Sequence, residues 1–175
     1  MPMKESVMFL IENDAIGLRQ YTHDDDYNMY LCWKDIDTQK GYNGIFDRSF
    51  EEFKEFDINR FKFWVTVTDK ETNESVGVLR LGLGELPDLA IWIYPQYRNQ
   101  GYGTQSFILA LTYLFTHFEY PEISAGCYET NTASLKMLKK IGFERFPSED
   151  QEEIDCFTGK ITIQLEFRIS KDKIL

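Results

Sequence analysis

A loop with one arginine and two closely spaced glycines is the segment of this sequence best suited to chemistry. It reads Arg98-Asn99-Gln100-Gly101-Tyr102-Gly103-Thr104. An apolar run over residues 89–94 precedes it, and apolar residues at helical spacing follow it, so it should join a buried strand to the start of a helix. The first N–H groups of a helix lack internal partners and carry the positive end of its dipole. We therefore expect an anion site, with a phosphate held against the backbone and Arg98 adding charge.

The loop departs from two better-known phosphate-binding patterns. The loop of NTPases needs Lys and then Ser or Thr after its last glycine, whereas Thr104-Gln105 follows here. A dinucleotide-binding loop needs a third glycine at the position of Ser106. The simplest alternative is that the two glycines only turn the chain between strand and helix.

A second segment, about thirty residues further on, has the pattern of a helix capped by asparagine and ended by glycine. It reads Asn131-Thr132-Ala133-Ser134-Leu135-Lys136-Met137-Leu138-Lys139-Lys140-Ile141-Gly142-Phe143. In order and spacing, the loop and this helix resemble two motifs of the GNAT superfamily of N-acyltransferases. Residues 16–25 are similar to the first strand and helix of the branch that includes the ribosomal-protein alanine acetyltransferases. The resemblance spans roughly residues 7–169.

This resemblance implies a fold, a cosubstrate and a reaction. The fold is an α+β, three-layer arrangement in which a mixed, mostly antiparallel sheet has splayed central parallel strands and flanking helices. Acetyl-CoA is the implied cosubstrate, and a primary amine, either a protein N-terminus or a small cationic amine, attacks it directly in a ternary complex. The implied cofactor-binding residues are Ile93, whose N–H supports the thioester oxygen, Arg98, Asn99, Gln100, Gly101, Tyr102, Gly103, Thr104 and Asn131. A catalytically silent acetyl-CoA-binding sensor or scaffold is the alternative.

Asp88 is the first candidate for the general base. It stands just ahead of the apolar run, where many members of the branch that the sequence resembles carry Glu, and a carboxylate there can accept a proton through water. Glu85 and Glu129 are alternatives. A purely structural use of Asp88, as a cap or a solvated loop carboxylate, is the competing interpretation.

The candidate for the general acid follows from a departure from the family pattern. Many superfamily members carry Tyr where this chain has Leu138, and leucine cannot donate a proton. Ser134 matches a serine to which the ribosomal-protein branch assigns protonation of the leaving thiolate, and Tyr128 is a second candidate. Ser134 is also an ordinary residue for the first turn of a helix. We interpret Cys127 as structural, with a role beside the cofactor as the alternative.

Substrate contacts are expected from two helices and the loop between them, which overhang the acceptor pocket in the family that the sequence resembles. Trp33, Tyr42 and Asn43 are the candidates there, and Glu129 is a further one. The alternative is that Trp33 and Tyr42 are packing residues.

The predicted elements place these residues in order. Helices are expected over residues 22–33 and 49–59, with a polar loop over 34–47 between them. Strands are expected at 61–68, 75–83, 89–94 and 123–129, the last parallel to 89–94 because a helix connects them. After the helix that starts at Asn131 come a strand at 143–146, an acidic turn at 148–155 and a final strand at 160–170. That final strand would offer an edge on which a second copy pairs as a homodimer.

Composition sets broader limits. The 175 residues predict one domain, residues 1–175, and the formal charge of −10 argues against a nucleic-acid surface while it suits cationic substrates. No secretion signal or run long enough to span a membrane is evident, so a cytoplasmic protein without membrane contact is expected. The three cysteines have no metal-site spacing, which predicts reduced thiols and no metal.

Overall fold

The first half of the chain builds an antiparallel sheet. A computed structural model of the protein describes residues 7–175. The five strands of this sheet are adjacent in chain order: Ile11–Glu12 (β1), Ile16–Gln20 (β2), Trp64–Asp69 (β3), Ser75–Leu81 (β4) and Leu89–Ile93 (β5). Between β2 and β3 the chain forms three α-helices, Asp26–Lys34 (α1), Ile36–Gly41 (α2) and Phe50–Lys54 (α3).

The second half adds two α-helices and a second antiparallel sheet. Its elements are Tyr102–His117 (α4), Glu122–Tyr128 (β6), Thr132–Ile141 (α5), Glu144–Arg145 (β7), Gln151–Ile154 (β8) and Ile161–Ser170 (β9). Strand β9 pairs with β6 on one side and with β7 and β8 on the other. The prediction that the final strand is a free edge for a second copy is therefore wrong, because both of its sides are already hydrogen-bonded.

The two sheets meet at one point. Asp88 and Ser124 form an isolated parallel bridge, and the N–H of Ser124 donates to the carbonyl of Pro87 at 3.0 Å. Among residues 7–175, no ladder continues from this bridge along β5 and β6. The mixed α/β class was predicted from the sequence, and the parallel relation expected between these strands is limited to this bridge.

Both faces of the first sheet are covered at its centre, since almost every residue of β3 and β4 is buried whichever face it lies on. On one face, α4 contributes Leu111, Leu114 and Phe115, all fully buried against Val65 and Leu79. Burying such a side chain stabilises the fold by roughly 1.5–3 kcal/mol. The other face holds a largely aromatic cluster beneath α1 to α3: Tyr21, Met29, Cys32, Trp64, Val78, Trp92 and Tyr94. Across the described residues, no helix combines the length and apolar content that a bilayer span requires.

An ion pair fixes the start of α1 on the sheet. Asp25 is 3% exposed and accepts hydrogen bonds from both terminal nitrogens of Arg19, at 2.8 and 2.6 Å. The hydroxyl of Thr66 on β3 donates to the same carboxylate at 2.9 Å. A buried carboxylate needs such partners, so these bonds hold the helices that follow in a fixed position over the sheet.

Two segments differ from the sequence-based prediction. The stretch 34–47, predicted as a loop, contains α2, which begins because the carboxylate of Asp35 accepts a hydrogen bond from the N–H of Thr38 at 2.9 Å. The stretch 148–155, predicted as an acidic turn, contains β8. Its carboxylates alone favour a solvated turn, but pairing with the long strand β9 gives its backbone hydrogen-bond partners.

Candidate active site

One cavity of about 1010 Å³ brings the predicted motifs together. Residues of both β5 and β6 line it, and so does Asp88 of the Asp88–Ser124 bridge. The N-termini of α4 and α5 close one end, which we call the donor half. The helices α1 to α3 and the face of β3 to β5 close the other end, the acceptor half.

The loop before α4 contains a row of unsatisfied backbone donors, and four of its residues, Asn99, Gly101, Gly103 and Thr104, line the donor half. Within the described part of the chain, the N–H groups of residues 99–104 donate to no protein acceptor. Gly101 has φ +87°, and a Cβ built there would have only the amide of Gln105 nearby, at 3.5 Å. Because these N–H groups adjoin a helix N-terminus, the loop is suited to a phosphate or pyrophosphate.

Arg98 lines the cavity, but its guanidinium is already engaged. Its terminal nitrogens donate to Asp35 at 2.9 Å and to Thr38 at 2.6 Å, and its Nε donates to the carbonyl of Ile93 at 3.2 Å. The positive charge expected to face a phosphate is thus paired with the Asp35 carboxylate. Arg98 ties α2 to the end of β5, and the anion site is left mainly to backbone N–H groups.

The free edge of β5 faces β6 across the cavity. The N–H of Tyr94 donates to Val76 on β4, so alternation along the strand turns the N–H and carbonyl of Ile93 away from β4. The Ile93 carbonyl does face that way, since it accepts from Arg98. The Ile93 N–H therefore points toward the gap between β5 and β6, where it can donate to a ligand.

Asp88 stands at the narrow end of this gap, on the cavity wall. Its carbonyl accepts from the N–H of Gly82 at 2.7 Å, and a Cβ on Gly82 would overlap its carboxylate. The glycine therefore leaves the room in which the Asp88 side chain lies. Glu85, the alternative base in the same turn, does not line the cavity.

Sequence reasoning missed Glu166 on β9, a further carboxylate on the cavity wall besides Asp88 and Asp37. Burial raises its pKa, and the negative charge of Asp88 raises the pKa further against the opposing effect of Arg168. Its signal in the sequence was an acidic residue between Leu165 and Phe167 in an alternating strand, which is equally typical of a solvent-facing position.

Ser134 has the geometry of a free donor beside the gap. Its N–H donates to the cap residue Asn131 at 3.1 Å, while among residues 7–175 its hydroxyl has no partner, and both residues line the cavity. Leu138 also reaches the wall and is 2% exposed. The other candidate acid, Tyr128, already donates to Glu153 at 2.6 Å. Burial and this bond raise the pKa of Tyr128 to about 12.

Aromatic side chains form the acceptor half. Tyr42 stacks on Trp92 with ring centroids 5.0 Å apart, and Trp33 packs against both rings. The Tyr42 hydroxyl donates to the carbonyl of Ile91, and burial raises the pKa of this phenol. The remaining aromatic wall consists of Phe46, Phe53, Phe56 and Trp64. Trp33 and Tyr42 thus pack together and line the cavity at the same time.

Four of the predicted site residues lie outside the cavity lining, because their side chains have other partners. Asn43 bonds to Glu153 and to the backbone of residues 154 and 156, so it holds its loop against β8. The Glu129 carboxylate accepts from the N–H of Ile163. The side chain of Gln100 donates to the Gln96 carbonyl, and the hydroxyl of Tyr102 donates to Asp69 at 2.6 Å.

Cys127 lines the cavity on β6 and is 5% exposed. Burial raises the pKa of its thiol to about 11, so the thiol is protonated at neutral pH. A protonated thiol is a poor nucleophile, which argues against a covalent role.

The family model of the acetyltransferase (GNAT) domain matches residues 9–144 of this chain. A search among curated proteins found no significant match. The match with the domain model covers both the glycine loop and the helix capped by Asn131.

Solved structures with the same fold include several acetyltransferases. One, a GNAT-family acetyltransferase from Bacillus anthracis, is 22% identical, with a TM-score of 0.77 over 94% of this chain and 99% of that one. A spermidine N-acetyltransferase from Vibrio cholerae, solved with CoA and spermine, is 17% identical, with a TM-score of 0.81 over 93% and 99%. A protein from Vibrio cholerae described as a ribosomal-protein-serine acetyltransferase is 18% identical, with a TM-score of 0.68 over 91% and 96%.

Proposed function

This chain belongs to the GNAT acetyltransferase family and is an acyltransferase that uses acetyl-CoA, and we propose that it transfers the acetyl group to a primary amine. One observation carries the proposal. A single cavity joins Asn99, Gly101, Gly103 and Thr104, whose N–H groups are unpaired, to the carboxylate of Asp88 and to an aromatic pocket. Proteins of similar fold are named as acetyltransferases of spermidine and of a ribosomal protein, which supports a primary amine as the acceptor class. We assign the whole chain to this one domain, because the wall includes residues from α1 to β9.

The donor half binds acetyl-CoA in this proposal. The N–H groups of the loop and the α4 dipole hold the pyrophosphate, and the glycines permit its close approach. The pantetheine arm lies between the separating strands β5 and β6. The Ile93 N–H donates to the thioester oxygen and stabilises the negative charge that develops there during attack.

Asp88 acts as the general base. It takes a proton, through water, from the ammonium form of the acceptor, so that the amine lone pair is free to attack the thioester carbon. A C–N bond forms and the C–S bond breaks, with no acetylated enzyme between them. Its place at the Asp88–Ser124 bridge, where the donor and acceptor halves meet, supports this role.

Ser134 passes its hydroxyl proton to the departing thiolate and regains a proton from the nitrogen that has attacked, which leaves a neutral amide and a free thiol. Its hydroxyl has no partner among the described residues and lies on the cavity wall, whereas the hydroxyl of Tyr128 is committed to Glu153. Trp33 and Tyr42 form the wall against which the acceptor packs.

Release of free thiol from acetyl-CoA, measured across polyamines, aminoglycosides, amino acids and peptides with free N-termini, tests the proposal. We expect acceptor-dependent release by the wild-type protein and its loss in Gly101→Glu, which places a carboxylate in the phosphate site. Acetyl-CoA binding without release from any amine would refute catalysis and favour a silent binding protein.

A further inference from the structure

Arg80 is a cation on the wall of the acceptor half that has no acceptor of its own. It stands on β4, within a strand whose other side chains are largely buried. Within residues 7–175 its guanidinium forms no hydrogen bond and no ion pair, and its Nε is shielded from solvent. The group instead lies over aromatic rings, with its central carbon 4.5 Å from the centroid of Phe61 and 5.3 Å from that of Trp92. Buried guanidinium donors are normally satisfied, so this arrangement calls for an acceptor.

Two further hydrogen-bond donors beside Arg80, the indole N–H groups of Trp64 and Trp92, also lack a protein acceptor within residues 7–175. Trp64 and Trp92 are 5% and 4% exposed and line the same cavity. The indole N–H of each is buried and has no partner in the described part of the chain. Trp64 pairs directly with Arg80 across β3 and β4. The acceptor half therefore contains several hydrogen-bond donors that have no protein partner, and a ligand rich in oxygen would complement them.

The sheet register relates Arg80 to the proposed base. Arg80 is paired with Ala90, and Asp88 and Trp92 lie two residues to either side of Ala90 on the same strand face. Asp88 is thus a diagonal cross-strand neighbour of Arg80, a relation that places two residues about 7–8 Å apart, and both residues line the cavity. Burial lowers the pKa of Arg80, and the negative charge of Asp88 opposes this effect although no ion pair joins the two side chains.

We propose that Arg80 binds a carboxylate of the acceptor, which makes the acceptor a free amino acid or an amine of the same build. Its amine lies toward Asp88 and its side chain packs among the aromatic rings of the acceptor half. A carboxylate satisfies two guanidinium N–H groups in parallel. A polyamine would bring a second ammonium against Arg80, and a peptide carbonyl would leave the guanidinium charge without a counter-ion. The inference rests on the acetyltransferase function proposed above.

Matched acceptors test it. Thiol release from acetyl-CoA is measured with L-phenylalanine, L-leucine and L-methionine, with phenethylamine and isopentylamine as counterparts that lack the carboxylate, with spermidine, and with a C-terminally amidated tripeptide. We expect the preferred amino acid to exceed its decarboxylated counterpart in kcat/KM by at least about 30-fold, the loss typical when a buried charge loses its partner. Arg80→Met should remove this preference by lowering kcat/KM for the amino acid alone.

The control is Arg60→Met. Arg60 also lies over the ring of Phe61, at 5.9 Å, but it is exposed and does not line the cavity. The Arg60→Met variant loses the same charge and a similar stacking contact, and it should keep the preference for the amino acid over its decarboxylated counterpart. Arg80→Lys, which keeps the charge without the paired N–H groups, should retain part of the preference, and it serves if Arg80→Met unfolds.

The inference would be overturned if the best acceptor lacks a carboxylate, as spermidine and the tripeptide amide do. It would also be overturned if Arg80→Met lowered kcat/KM equally for an amino acid and for its decarboxylated counterpart. Calorimetric titration of the amino acids into the CoA-bound protein separates the two proposals. Amino acid binding that Arg80→Met abolishes, without thiol release, would keep the Arg80 site and refute the transferase function. Failure of every amino acid to bind would overturn the Arg80 site even if another amine is acetylated.

Discussion

The donor and acceptor halves of the cavity are made from different parts of the polypeptide. The proposed anion site of the donor half consists of backbone N–H groups from one continuous loop, residues 99–104, that have no protein acceptor in the described part of the chain. The acceptor half is made from side chains of α1 to α3 and of β3 to β5, which are far apart in the sequence. A site made from backbone needs only glycines and a helix start, so many chains share one pattern. A site made from side chains can change at each position, so the acceptor can differ between relatives while the donor stays the same.

The largest effect should come from adding a side chain to the donor half. Gly101→Glu introduces a left-handed backbone strain and a negative charge beside the N–H groups that bind phosphate. Like charges at a binding site cost several kcal/mol, so acetyl-CoA affinity should fall by at least about 100-fold in calorimetry. Gly142→Glu is the control, since Gly142 also has positive φ, at +107°, but does not line the cavity. Equal losses in both variants would mean that the strain, and not the site, controls binding.

Removal of the carboxylate at the junction of the halves should come next. Asp88→Asn keeps the shape of the side chain but cannot accept a proton, and kcat/KM near pH 7 should fall by about 100-fold or more. The acetyl-CoA dissociation constant should not change, because Asp88 lies outside the loop. Glu85→Gln removes a carboxylate of the same turn that does not line the cavity. If Glu85→Gln has the larger effect, the base is Glu85 and the assignment of Asp88 is wrong.

A methyl group that only moves Asp88 should have a smaller effect of the same kind. In Gly82→Ala the added Cβ overlaps the Asp88 carboxylate, so the carboxylate must shift. A displacement of about 1 Å can lower turnover by up to about 100-fold, and we expect kcat to fall about 10-fold while acetyl-CoA affinity is kept. Unchanged kcat would show that the position of this carboxylate does not matter to the reaction.

Loss of the proposed acid should lower turnover without affecting binding. Ser134→Ala removes the hydroxyl but keeps the N–H that donates to Asn131, so the start of α5 remains capped. General acid catalysis is worth about 100-fold or more, but water can replace a serine in part, so we expect kcat to fall about 10-fold. Tyr128→Phe provides the comparison. A larger loss in Tyr128→Phe would transfer the acid role to that phenol.

The smallest effect is expected at Cys127. Its thiol has a pKa of about 11 because of burial, so it stays neutral and unreactive until the pH approaches that value. Cys127→Ala should keep kcat within about 3-fold, since a neutral thiol is a poor nucleophile. In the native protein, a thiol reagent at neutral pH should modify exposed Cys156 quickly and buried Cys32 and Cys127 slowly. Rapid modification of Cys127, with loss of activity, would reopen a covalent role.

The donor half was predictable because its elements depend on local sequence. The positions of the glycines and the helical spacing of the apolar residues predict the loop and α4, and Asn131 and Gly142 mark the two ends of α5. The predicted role of Arg98 shows the limit of such reasoning. Its charge is paired with Asp35, which lies 63 residues earlier in the chain, and no local pattern encodes that contact.

The acceptor half was only partly predictable, because long-range contacts decide it. Trp33 and Tyr42 line the cavity, whereas Asn43 bonds to the β8 segment, more than 100 residues away. Arg80 had a visible signal, a charge inside an apolar strand, but whether such a charge is paired depends on neighbours from other strands. The short elements α2 and β8 were missed for the same reason, since tertiary contacts stabilise them more than propensity does.

The most direct test measures initial rates over a grid of acetyl-CoA and acceptor concentrations. It asks whether the donor and acceptor halves hold both substrates at the same time during transfer. Direct transfer within one cavity predicts double-reciprocal lines that intersect, because both substrates must be bound before either product leaves. Parallel lines would indicate a double-displacement reaction through an acetylated enzyme. That result would contradict the mechanism and return attention to the cavity nucleophiles, Cys127 first.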